Sequence, residues 1–317
     1  MLNKIKKKVR VLFQMDPLDK LNIKSDSTIS IIKEAFKRDL DVWVASPDKL
    51  TIKKSCVFLM CQKLNEISPQ ITLNESQPFN ANEFDFFFIR QDPPFDMNYL
   101  TNCYLLELHQ EFNKRPHFIN CPRGIKNFTE KIFPIYFSDL MPKTLITSDE
   151  KVFKEALANK QILILKTLYN KGGEGVIKVE KKDKNSLKKF KELIDNYKVP
   201  VVIQDFISKV SEGDKRVILI EGEPVGLINR IPKSGNYKAN LHLGAKAEVS
   251  KLTKKELEIC RKIKPFLLKN KLFFVGIDLI DEKLTEINVT SPTGIVQIQQ
   301  LTGVNIAKRL WDKLLKN

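Results

Sequence analysis

Three histidines in 317 residues leave little room for chemistry built on imidazole. His109, His117 and His242 form no nucleophile pattern with Ser or Cys, which argues against a His-dependent hydrolase. Cysteine is also scarce. The five residues (Cys56, Cys61, Cys103, Cys121 and Cys260) show no zinc spacing and cannot all pair, so they read as reduced thiols in a cytoplasmic protein. No stretch approaches the ~20 consecutive apolar residues of a membrane span, so no membrane partner is expected. The basic start, Met1 to Lys8, leads into a short apolar run ending at Asp16-Pro17, which reads as a first strand and not a signal peptide.

Positive charge, by contrast, is plentiful, at a formal net of +16. The lysines are spread through nearly every segment, often at helical spacing, and no aromatic-interleaved basic motif accompanies them. The densest run, Lys178 to Lys191, reads as a turn leading into a solvated amphipathic helix. A nucleic-acid partner is therefore not expected, although such charge would attract anionic substrates. A hydrophobic content of 42% suffices for an ordinary core and about two domains.

Strand and helix patterns alternate, which predicts an α/β protein. Strands are expected at Val9 to Met15, Val42 to Ala45, Phe84 to Arg90 and His117 to Asn120, with helices from Asp26 (capped by Ser25) to Arg38 and from Met97 to Phe112. The stretch from Lys49 to Asn82 reads as an irregular insertion or a hairpin. A domain boundary is placed near Cys121-Pro122. Beyond it come a helix at Asn127 to Phe133 and a second helix opened by a capping box at Thr147 to Glu150. Strands follow at Ile162 to Thr167, Val176 to Val179 and Val201 to Ile207, then a hairpin at Lys215 to Ile231. Thr253 caps a last predicted helix, which Pro265 should kink or split.

The most informative segment is Phe274 to Ile280, an apolar β-forming run that carries Asp278. After a polar break at Asp281-Glu282-Lys283, a second strand brings Glu286 and Asn288, two apart and so on one face. Any one of the three would pass for an ordinary strand-end residue. Together, Asp278, Glu286 and Asn288 offer hard oxygen donors suited to Mg²⁺, and unpaired buried carboxylates would be costly. Lys166 ends an apolar strand and is followed by Asn170-Lys171-Gly172-Gly173-Glu174-Gly175, where backbone N–H groups and a lysine can wrap a phosphate. That loop is neither a Walker A loop nor a dinucleotide fingerprint, because no Gly-Lys-Ser/Thr closes it and a strand follows it. Lys131, Arg216 and Arg230 are further candidate phosphate partners.

These elements resemble the ATP-grasp ligases, and within them the bacterial glutathione synthetases, over nearly the whole chain. The resemblance rests on Phe13 to Pro17 with Asn22 to Thr28, Arg90-Gln91-Asp92-Pro93-Pro94-Phe95-Asp96-Met97, and Glu130-Lys131. It continues in Leu165-Lys166 with Gly172-Gly173, Glu212 to Arg216, Gly222 to Val225, Arg230-Ile231-Pro232, and Asp278 with Leu284 to Gly294. Two loops depart from the family pattern: Thr167-Leu168-Tyr169-Asn170-Lys171 ahead of the paired glycines, and Asn240 to Ala247, where Ala245 stands for a glycine.

The resemblance implies an N-terminal open α/β (pre-ATP-grasp) substrate domain at 1–121, then an ATP-grasp fold at 122–317. Two α+β subdomains of that fold would clasp the nucleotide, a mobile lid at about 131–207 and a catalytic subdomain at about 208–317. The implied reaction turns ATP, γ-glutamylcysteine and glycine into glutathione, ADP and phosphate by way of an acyl phosphate. Asp278, Glu286 and Asn288 would hold Mg²⁺, with Mn²⁺ a possible substitute. Lys131, Lys166, Gly172 and Gly173 would hold the ATP phosphates. Gln204, Asp205 and Ile207 would hold adenine, and Asp214 the ribose. Arg216 and Arg230 would be catalytic, and Arg90, Asp92, Ser291 and Thr293 would bind γ-glutamylcysteine. A homo-oligomer, dimer or tetramer, is expected. The alternatives are an ATP-grasp ligase joining another amine to a γ-glutamyl or acidic substrate, and a catalytically silent nucleotide-binding regulator.

Overall fold

The computed structural model describes residues 8–67 and 70–316, and its strands fall into three sheets. The first sheet is built around β1 (Arg10–Met15), which pairs in parallel with β2 (Asp41–Lys53) on one side and β6 (Phe86–Arg90) on the other. β3 (Cys56–Glu66), β4 (Thr72–Leu73) and β5 (Gln77–Asn80) extend one edge, and β7 (His117–Ile119) closes the other. β1 and β6 are buried almost throughout, as their unbroken apolar runs require of a central parallel strand. The stretch from Lys49 to Asn82 resolves into the hairpin alternative. β2 continues to Lys53, and Lys54 and Ser55 (φ 49° and 60°) make the tight turn into β3.

Helix α1 (Ser27–Lys37) starts one residue later than expected. Its cap is Asp26, whose carboxylate accepts from the Ile29 N–H, and not Ser25. α2 (Met97–Phe112) matches its expected bounds and is capped by Asp96. The helix expected at Asn127 to Phe133 lies earlier, as α3 (Pro122–Asn127), because Pro122 is favoured in a first turn. A 3₁₀ segment, Phe133–Leu140, follows.

The second sheet has the order β10–β9–β11–β8, from β8 (Thr144–Thr147), β9 (Ile162–Lys166), β10 (Ile177–Glu180) and β11 (Val201–Asp205). α4 (Glu150–Asn159) and α5 (Ser186–Tyr197) cover it, and Phe153 stacks on Phe190 at 4.5 Å. The capping box expected at Thr147 to Glu150 does not form. Thr147 ends β8, and Asp149 caps α4 through the Lys151 N–H.

The third sheet runs β14–β13–β12–β15–β16, from β12 (Asp214–Ile220), β13 (Glu223–Ile231), β14 (Lys246–Glu248), β15 (Phe274–Ile280) and β16 (Lys283–Asn288). α6 (Lys254–Lys269) packs beside it, opened by the Thr253 and Glu256 capping box. Pro265 lies inside α6 without splitting it. α7 (Ile295–Thr302) and α8 (Ile306–Leu314) end the chain's regular structure.

One apolar core joins the first and third sheets, with Phe13, Phe88 and Ile29 packed in the same cluster as Ile218, Phe274 and Trp311. Asn120 stitches that junction. Its amide donates to the Phe274 and Val289 carbonyls at 2.8 and 2.7 Å and accepts from the Phe274 N–H at 2.7 Å. The four-stranded sheet has a separate, smaller core.

Candidate functional site

A cleft of about 910 Å³ lies where the three sheets meet, within the size range of small-molecule sites. Its floor is the third sheet. Asp278 on β15 sits directly opposite Glu286 on β16, and Asn288 opposite Gly276, so period-two alternation sends all three side chains to one face. The β15–β16 register shifts just after Asp278, a local irregularity of the kind that re-aims a side chain beside a site. Asp281 and Glu282, at φ 49° and 59°, make the turn that returns β16 beside β15.

The carboxylates are embedded in cations. Arg216, on neighbouring β12, grips both oxygens of Asp278 through Nε (2.5 Å) and Nη2 (2.9 Å). Arg230 on β13 bridges Asp214 at 2.6 Å and Asp278 at 3.1 Å. Burial alone would raise the Asp278 pKa, but the two guanidiniums outweigh it and hold that carboxyl well below the usual range. Asp214 shifts the other way, to about 6, because burial and the nearby carboxylates dominate over Arg230.

Opposite lie the lysines. Lys166 ends β9 and reaches Glu286 at 3.2 Å, a contact that spans the cleft. Lys131 donates to Glu130 at 2.9 Å and to the Asn170 carbonyl at 2.7 Å. Burial would lower its pKa, but Glu130 and Glu286 raise it. Glu130 was given no role from sequence. It is largely buried, accepts from Lys131, and is pushed up to about 7 by burial, with Glu286 adding to the rise. Burial works against Glu286 as well, but Lys166 and Lys131 keep it below its ordinary value. The signal for Glu130 was present in the chain, as a carboxylate adjacent to a buried lysine.

The remaining candidates divide. Gln204, Asp205, Ile207, Asp214, Gly172, Gly173, Asp92, Ser291 and Thr293 all line the cleft. Gln204 is pinned by Thr144 at 2.8 Å, and Asp205 pairs with Lys160 at 2.7 Å. Arg90 stays beneath the surface, only 4% exposed, donating to the Thr28 hydroxyl and the Pro292 carbonyl at 2.9 and 3.1 Å while its Nη1 has no partner. It supports the Ser291 to Thr293 loop from below and does not line the cleft. Tyr237, Lys238, Asn240 and His242 also line the cleft, and the sequence assigned none of them a site role.

The donor chemistry fits a hard divalent cation. Asp278 and Glu286 supply carboxylate oxygens, and the buried Asn288 amide has an Nδ2 with no partner. Among the described residues no group of three His, Cys, Asp or Glu side chains is arranged for a metal. A cation here would rely on Asn288, water and substrate oxygens to complete its shell.

Residues 9–126 match the family described as prokaryotic glutathione synthetase, N-terminal domain, and residues 130–303 match its ATP-grasp domain. The glutathione synthetase of Brucella melitensis biotype 1 is 39% identical over 307 residues, covering 96% of this chain and 97% of the relative. That of Synechocystis sp. is 34% identical over 318 residues, at 95% and 98% coverage. Among solved structures, D-cycloserine synthetase DcsG aligns with a TM-score of 0.67 at 11% identity, covering 96% of this chain and 99% of that one. ATP-grasp ligase PsnB complexed with minimal precursor aligns at 0.64 and 16% identity, with 98% and 99% coverage. At such identities the two structures speak for the fold alone, an ATP-grasp ligase architecture. No helix among the described residues is long and apolar enough to cross a membrane.

Proposed function

Because this chain belongs to the prokaryotic glutathione synthetase family, its reaction is the ATP-dependent formation of glutathione, and we propose how its residues divide that work. The observation that carries the reading is the opposition of a carboxylate face (Asp278, Glu286) to buried lysines (Lys131, Lys166) across one cleft. Lys131 and Lys166 receive nucleotide phosphates, and the backbone at Gly172 and Gly173 covers them. Gln204, Asp205 and Ile207 face adenine, and Asp214 the ribose. Asp278, Glu286 and Asn288 hold the divalent ion, Mg²⁺ in preference to Mn²⁺, which when bound neutralises phosphate oxygens. The peptide occupies the side of Asp92, Ser291 and Thr293, with Arg90 bracing that loop.

In the first step a carboxylate oxygen of γ-glutamylcysteine attacks the γ-phosphorus of ATP, and ADP leaves. Glycine's amine then attacks the acyl carbon, loses a proton, and phosphate departs with one of the original carboxylate oxygens. Arg216 and Arg230 line the cleft and are held in place by Asp278 and Asp214, so their charge meets the developing oxyanion with little reorganisation. Substrate labelled with ¹⁸O in the cysteinyl carboxylate should transfer one label to phosphate. Unlabelled phosphate would sink the scheme.

The lid is assigned to about 131–207 and the catalytic subdomain to about 208–317; the separate apolar core of the second sheet supports this for the part from Leu145 to Ile203, while Phe133 and Met141 pack with the third sheet. An exposed apolar stripe on α2, formed by Met97, Tyr104, Leu108 and Phe112, supports a homo-oligomer, which light scattering would measure. Five free cysteines support residence in the reducing cytoplasm.

A further inference from the structure

The loop between β9 and β10 does more than cover the cleft. Five consecutive residues, 169 to 173, are tied to three different parts of the molecule. The Tyr169 carbonyl accepts from the Phe95 N–H at 3.0 Å, and the two rings lie 6.3 Å apart. The Asn170 carbonyl accepts from Lys131 at 2.7 Å. The Lys171 ammonium pairs with the Asp92 carboxylate. His242 closes over Gly172, where an added Cβ would lie 2.7 Å from the imidazole Cε1. The Gly173 carbonyl accepts from Lys238 at 2.9 Å.

The glycines have no conformation of their own to hold this path. Gly172, Gly173 and Gly175 sit at φ 69°, 80° and 66°, where glycine moves freely. The tethers at 169–171, together with Lys238 and His242 at 172–173, therefore set where the phosphate-covering backbone lies. Two of those three tethers end on Asp92 and Phe95, in the Asp92-Pro93-Pro94-Phe95 element. On that element the Asp92 N–H is held by the Asp16 carboxylate at 3.0 Å, which leaves two carboxylates side by side with Lys171 above them. Lifting the loop removes the ammonium from that pair, so the raised and lowered positions differ in energy through the state of this element.

We propose that residues 169–173 act as a strap joining the peptide site to the nucleotide site, with Lys171 and Tyr169 as positioning residues. Binding of the γ-glutamyl peptide against the Asp92 to Phe95 element steadies the strap and tightens nucleotide binding, and nucleotide tightens peptide binding by the same factor. The proposal rests on the functional reading above and adds to it the route by which one substrate senses the other. Lys171 is suited to a positioning role because its side chain is 49% exposed and pairs with Asp92, not with the carboxylates of the cleft floor.

The test is titration calorimetry with a non-hydrolysable ATP analogue and Mg²⁺, with and without saturating γ-glutamylcysteine. In the unmodified protein the peptide should tighten nucleotide binding about fivefold or more. Lys171→Ala should bring that factor below about twofold and leave affinity for nucleotide alone within about twofold, with Lys171→Arg restoring the coupling. In steady-state kinetics at saturating ATP, Lys171→Ala should raise KM for the peptide while kcat holds. Coupling that survives Lys171→Ala overturns the proposal, as does an unmodified protein that binds both ligands independently. An unmodified protein that binds nucleotide but no γ-glutamylcysteine overturns the functional reading, and the strap with it.

Discussion

The two antiparallel sheets that face each other across the cleft handle charge in opposite ways. On the third sheet, Asp214, Arg216, Arg230 and Asp278 compensate one another through short contacts across β13, β12 and β15. They rest on a core of Val217, Ile277, Ile287 and their neighbours. The second sheet has a core of eight buried apolar residues. It sends one lysine inward, Lys166, whose partner Glu286 belongs to the opposite side. The proposed catalytic groups thus stand on the sheet able to fix them without help, while the smaller sheet reaches them through Lys166. Small local cores are where low-energy opening occurs, which suits a cover over a site that must admit two substrates.

The largest effect should come from damaging the self-sufficient side. Glu286→Ala removes a proposed cation ligand and the cross-cleft partner of Lys166. It should lower kcat on the order of 10³-fold, as loss of a charge-stabilising group does. Circular dichroism should show the fold unchanged, and undiminished turnover at ordinary Mg²⁺ would break the comparison. Next in size is damage to the small core. Phe153 is fully buried and stacked on Phe190, so Phe153→Ala should destabilise the second sheet by about 3–5 kcal/mol. Limited proteolysis should then cut within 144–205 well before the first and third sheets unfold, and a single global transition would show that the lid is not a separate unit.

The smallest effect probes the stored charge of the site. Glu130 has its folded-state pKa raised from 4.5 to about 7, so its protonated form is the favoured one. Its contribution to stability is fully present below pH 4.5 and is lost as pH rises through about 7. Glu130→Gln, which mimics the protonated form, should stabilise the ligand-free protein at pH 8 by on the order of 1–3 kcal/mol and have little effect at pH 4. Equal shifts in melting temperature at both pH values would contradict the sign.

The site's floor was legible in sequence because a strand alternates strictly. Once Leu284 to Asn288 reads as a strand, Glu286 and Asn288 had to share a face, whereas Asp278 joins them through the register shift that follows it, without which it would stand opposite Thr285. The Arg216–Asp278 pairing was not legible. It depends on β12 lying beside β15, a neighbour 62 residues away that no local pattern encodes. The start of α1 was legible to within a residue, and the choice of Asp26 over Ser25 turned on which side chain reaches the Ile29 N–H, whereas α3 begins at Pro122 and not at the expected Asn127. Pro265 misled for a tertiary reason: Ile259, Ile263 and Leu267 on α6 are buried on both sides of it, and that packing holds the helix together. The strap was invisible because its partners, Phe95, Lys131 and Lys238, are scattered along the chain and meet only in the fold.

Asn120 has a mechanical meaning. By accepting and donating as a main-chain residue would, its amide acts as one extra rung welded to the end of β15 from the far side of the junction. With a shared core already spanning that junction, the first and third sheets form a chassis with no bearing between them. Opening of the cleft is then expected of the second sheet, hung on this frame like a visor, while the frame keeps the proposed peptide loop and the carboxylate floor aligned.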